Sequence, residues 1–225
     1  MFDGLIATYG MRFVNEVLVP AFAATMQMLI VSTILSSILG FLLAVVLVIT
    51  NKGGMMENKA VYNVLSFMIN VIRSFPFIIL MILILPFTKM LVNTSIGVSA
   101  AIVPLTIAAS AFTARLIENS LMEVDRELIE AMRSFGLTDA QVIFKVMLPE
   151  ALPSIVSSTV LAMIAILGST AVAGAVGAGG IGSVALTYGY QRFDQGVMIV
   201  TVLTLIVLVQ IIQVVGNLIY RKIKS

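Results

Sequence analysis

PAFAATMQMLIVSTILSSILGFLLAVVLVIT, running from Pro20 to Thr50, contains no charged residue and decides the class of fold. A helix rises about 1.5 Å per residue, so about 20 apolar residues cross the hydrocarbon of a bilayer. This run exceeds that length, which predicts a span that tilts or extends beyond the membrane. Further blocks meeting the same test are Ala60–Phe87, Ile96–Leu116, Leu152–Ala175 and Gly196–Ile219. The expectation is an all-α, polytopic membrane protein of five transmembrane helices, read as a single domain over residues 1–225.

Composition agrees. Of the 225 residues, 60% are hydrophobic and 11% charged, against about 45–50% and about 25% in soluble domains. A net charge of +2 without a basic patch gives no reason to expect a nucleic-acid partner. Cysteine and histidine are absent, which removes thiol and imidazole chemistry and any ordinary zinc or haem site. Asp3 stands where a secretory signal would carry basic residues, so the first apolar block reads as a retained span.

Five spans put the termini on opposite sides. With the C-terminus inside, the inner segments hold Lys52, Lys59, Arg115, Arg126, Arg133, Lys145, Arg221, Lys222 and Lys224, and the outer ones only Arg12, Lys89 and Arg192. The positive-inside rule therefore predicts an outside N-terminus and a cytoplasmic segment at residues 119–150.

That segment is polar but patterned. Ser120/Glu123 and Thr138/Gln141 both match the capping-box spacing, and Gly136 lies between them where a helix end favours positive φ. Two short helices with a sharp turn at Phe135–Leu137 follow, the first with an apolar face of Leu128, Met132 and Phe135. Pattern alone leaves open an ordinary amphipathic connector.

The residues are more particular than the pattern. Glu130-Ala131-Met132, three residues, Gly136, nine residues, then Val146-Met147-Leu148-Pro149 resembles the signature EAA-x3-G-x9-I-x-L-P of the permease subunits of bacterial ABC importers. Met132 replaces an alanine and Val146 an isoleucine, both remaining apolar. Arg73-Ser74-Phe75-Pro76-Phe77, the Gly168–Gly182 stretch and Tyr188–Asp194 make the chain most similar to the methionine-importing members.

This resemblance implies a coupling helix in which Glu130, Ala131, Gly136, Leu148 and Pro149 meet a cytoplasmic ATPase. It also implies a homodimer in the bacterial inner membrane, two ATPase copies, and an extracytoplasmic binding protein that delivers methionine. A permease for another amino acid or small solute is the nearest alternative. A membrane-embedded enzyme would need paired acids or a nucleophile–base set within the spans, and none is found there. An assembly scaffold would leave the loop a mere interaction helix.

No G-x-x-x-x-G-K-[ST] phosphate loop occurs, so ATP falls to another chain. Gly177-Ala178-Gly179-Gly180-Ile181-Gly182 fits G-x-G-x-x-G but follows a span rather than a strand, so a dinucleotide role is set aside. A tight turn is the plain reading there, and Gly177 and Gly179 are also gate candidates. Arg73 lies inside the second block, either snorkelling near the inner end and pairing with a neighbouring span, or lining the pathway in contact with a substrate carboxylate. Met163 is a gate candidate through its pliable thioether. Gln27, Gln210 and Gln213 are read first as interhelical hydrogen-bonding groups and second as pathway residues.

Overall fold

A computed structural model describes residues 11–224; Asp3 lies outside them. The described residues form helices and connections, without strands. The long helices are α1 (Val19–Thr50), α5 (Val98–Met122), α8 (Leu148–Ala173) and α10 (Gln195–Lys224). Shorter ones are α2 (Lys59–Ser74), α3 (Phe77–Leu83), α4 (Leu85–Val92), α6 (Arg126–Ser134), α7 (Asp139–Val142) and α9 (Ile181–Val184).

Among the described residues, four continuous helical runs are long and apolar enough to cross a membrane, and α2 with α3 makes a fifth if that pair, bent by 106°, counts as one span. The bend corrects the expectation of one helix over Ala60–Phe87. Its cause is local. Pro76 disfavours helical geometry at Phe75, which is extended at φ −77° and ψ 133°. Pro86 then opens α4 after a second break at Ile84.

The third span also differs from its predicted end. α5 runs on to Met122, because the Ser120 hydroxyl donates to Leu116 C=O at 3.0 Å instead of capping a new helix. The connecting loop therefore starts at Glu123, and Arg115 belongs to a span rather than to an inner loop. The N-cap of α6 is Asp125, whose carboxylate accepts from Glu127 N–H at 2.8 Å.

α1 carries two stripes at fourfold spacing. Ser32, Ser36, Gly40 and Ala44 are buried, and a Cβ on Gly40 would sit 2.9 Å from Thr113 Cβ of α5. Ile30, Ile34, Ile38 and Leu42 are exposed on another face. Small residues inward and large apolar ones outward is the packing of a helix surrounded by lipid, where close backbone approach drives association. Gly216 plays the same part between α10 and α8: a Cβ there would meet Val160 Cγ2 at 2.2 Å.

A wide π-helical turn precedes both Pro20 and Pro149. In the first, over Val14–Leu18, Val19 N–H reaches Val14 C=O; in the second, over Ile143–Met147, Leu148 N–H reaches Ile143 C=O. Each wide turn ends two residues before a proline, which has no N–H to bond four residues back.

Candidate functional site

The loop between α5 and α8 is rooted in the core. Val124 is buried, and Leu128, Ile129, Met132 and Leu137 pack on a cluster built from Ala44, Ile117, Leu121, Val142, Met147 and Ala151. Phe135 does not join that face; it is 79% exposed, because α6 ends at Ser134 and the chain turns away. Gly136 takes φ +87°. Leu137 N–H donates to Met132 C=O at 3.3 Å and Gly136 N–H to Arg133 C=O at 2.9 Å, the paired bonds of a Schellman C-cap.

Thr138 then closes a full capping box with Gln141. The second expected short helix, α7, is not separate; it runs through the wide turn into α8, which places Leu148 and Pro149 in the continuous helical run Asp139–Ala178. Glu130, Ala131, Gly136 and Pro149 are exposed, and Leu148 is half-buried. Glu130 lines a cleft with Arg126, Arg133 and Lys52, between α6 and the turn that follows α1.

The glycine stretch forms a crossover. Gly177, Gly179 and Gly180 all have positive φ. Gly182 returns against the end of α8 so closely that a Cβ would lie 2.4 Å from Ala171 Cα. Buried Thr25 of α1 accepts from Ile181 N–H at 2.9 Å, and Gly97 N–H donates to Gly177 C=O at 3.0 Å. Two helices distant in sequence thus hold the crossover, and Gly177 stays exposed while Gly179 is half-buried.

Arg73, in the last turn of α2, lines a cleft of about 340 Å³ with Phe75, Phe77, Phe112, Ile166 and Ser169. Met163 lines a different groove, with Val160 of α8 and Ile211, Val215 and Gly216 of α10. The structure does not bring these two pathway candidates together. Gln27, Gln210 and Gln213 are exposed and make no hydrogen bond among the described residues.

A polar network unforeseen from the sequence joins α2 to α5. Arg115 Nη1 meets Glu118 Oε2 at 2.7 Å, and the two side chains are 16% and 3% exposed. Tyr62 donates to Glu118 at 3.3 Å; Arg115 also donates to Asn70 Oδ1 and Ser66 C=O, each at 3.3 Å, and to Ser66 Oγ. The signal available in sequence was the threefold spacing of Arg115 and Glu118 at the end of an apolar block.

The family described as binding-protein-dependent transport system inner membrane component matches residues 36–225. The chain belongs to this family. Among relatives of this transport component, the probable D-methionine transport system permease protein MetI of Vibrio cholerae is 46% identical over 209 residues, 93% of each chain. The methionine import system permease protein MetP of Bacillus subtilis is 43% identical, over 77% of this chain and 78% of its own. Among solved structures, an inward-facing MetNI methionine ABC transporter is similar with a TM-score of 0.91 and 41% identity, covering 93% of this chain and 97% of the other.

Proposed function

We propose that this chain is the membrane-spanning subunit of an ATP-driven methionine importer, working as a homodimer with two cytoplasmic ATPase subunits and an extracytoplasmic binding protein. The observation that carries it is the lever. α6 is fixed by its apolar residues to the inner ends of α1, α5 and α8 while Glu130, Ala131 and Gly136 face outward. A partner gripping that exposed edge moves the spans, because the packed face cannot shift without them.

Hydrolysis of ATP belongs to the partner, and this chain supplies the path. Its charge distribution favours an outside N-terminus and a cytoplasmic C-terminus in the bacterial inner membrane. Five spans hardly enclose a path alone, so a two-fold axis would place it between copies. Arg73 and its cleft, Met163, and the Gly177–Gly179 crossover are the pathway and gate candidates.

The test is reconstitution with the partner ATPase and binding protein in liposomes. ATP-dependent methionine uptake is expected, with other amino acids competing poorly; no accumulation, or preference for a different solute, would sink the reading. Gly136→Trp sharpens it. A Cβ at Gly136 meets nothing within 4 Å, but φ +87° penalises any side chain by about 1–2 kcal/mol. Hydrolysis should persist while uptake falls, and fully coupled transport by this variant would remove the lever role.

A further inference from the structure

We infer that Arg73 is the point at which the path recognises the carboxylate of an amino-acid cargo. The inference rests on the importer reading above. Arg73 makes no hydrogen bond or ion pair among the described residues and is exposed into its cleft, and no acidic residue lines that cleft. A guanidinium within the bilayer seeks a partner, because exposing it to hydrocarbon is costly.

Depth argues against a lipid phosphate filling that need. The cleft is walled by Ala108 and Ala109 of α5 and by Ala162, Ala165 and Ile166 of α8. Ala109 lies about 16 Å along the axis from Val98 and about 20 Å from Met122, so the cleft sits in the middle of α5. The bent junction of α2 and α3 holds the arginine there, one residue before the helix ends. Irregular backbone at membrane depth is tolerated where it lines a cavity.

The cleft suits an amino acid with an apolar side chain. Its volume falls within the roughly 300–1,000 Å³ typical of small-molecule sites. Arg73 offers the fork that pairs with a carboxylate in two parallel bonds. Ser169 donates its proton to Ala165 C=O at 3.0 Å, which leaves its oxygen to accept from an ammonium. Phe77, Phe112 and Ile166 supply an apolar wall, on which a thioether packs well against aromatic edges.

The experiment uses the permease–ATPase complex in nanodiscs with a diazirine analogue of methionine. Irradiation should label peptides containing Phe112 or Ile166, and free methionine should compete. Methioninol, which lacks the carboxylate, should compete about tenfold less, as expected for loss of a charge-assisted pair. Arg73→Gln and Arg73→Met should lose the label and slow uptake in liposomes, with Arg73→Lys retaining part of both. Equal competition by methioninol, or wild-type labelling and uptake by Arg73→Met, overturns the inference while the importer reading stands. Failure of these variants to assemble with the ATPase also overturns it, since Arg73 would then be structural. If the wild-type complex accumulates no methionine, both fall together.

Discussion

Two arginines sit within the apolar blocks of this chain and live in opposite surroundings. Arg115 is held by Glu118, Ser66 and Asn70, with Tyr62 completing the network through Glu118. Arg73 has no such partner among the described residues and faces a cleft. Both reside on or beside α2, so a place within an apolar block does not by itself assign a charge its role. Partnering does: the saturated cation fastens two helices, and the unsaturated one is free to meet something that arrives.

The largest effect should come from breaking the saturated site. Glu118→Ala leaves Arg115 buried without its counter-charge, and removing one partner of a buried pair costs about 3–5 kcal/mol. A collapse in the thermal midpoint of the purified protein is expected; an unchanged midpoint would show that the pair carries no structural weight. Ser169→Asp does the reverse, giving Arg73 a resident carboxylate. Uptake should drop by about tenfold, the equivalent of one charge-assisted bond, with no loss of thermal stability. Unimpaired uptake would mean that the freedom of Arg73 is irrelevant to transport.

Tyr62→Phe trims only the outer bond of the network and should cost about 1 kcal/mol, read in the same melting assay. The smallest effect marks what the membrane adds. Arg133 and Asp139 are also 2.7 Å apart, but they are 43% and 41% exposed in the loop between α5 and α8. Asp139→Asn should change stability by no more than about 1 kcal/mol, and raising salt should erase even that.

The long helices were legible because a charge-free run of sufficient length has few other fates. Gly136 and the Thr138–Gln141 box were legible for a different reason: caps are made by residues a few positions apart, so the sequence carries both partners. Where competing local chemistry decided the outcome, the reading slipped. Ser120 had the spacing of a cap, but its hydroxyl turned back to Leu116. Pro76 was visible inside the second block, yet its consequence, a bend of 106°, needs the backbone restriction of Phe75 weighed above the apolar count.

Contacts between distant segments were not legible. Thr25 receives Ile181 N–H across 156 residues, and neither residue announces the other. The apolar face expected to include Phe135 failed by one residue, since the helix stopped before that side chain could swing inward. The fourfold stripe of Ser32, Ser36, Gly40 and Ala44 was there to be read, as close helix packing requires small residues at that spacing.

The wide turn over Ile143–Met147 has a consequence for how such chains can change length. It accommodates one residue more than a regular turn, and each residue of a helix advances the phase by about 100°. Deleting a residue there would restore regular winding with the two flanks close to their present phase, so Val142 would stay on the cluster it fills. The surface presented by Glu130 and Ala131 would keep its aim, with every hydrogen bond of α6 intact. A single-codon loss at this turn is therefore absorbed, whereas the same loss in the regular part of α8 would turn its two flanks about 100° apart.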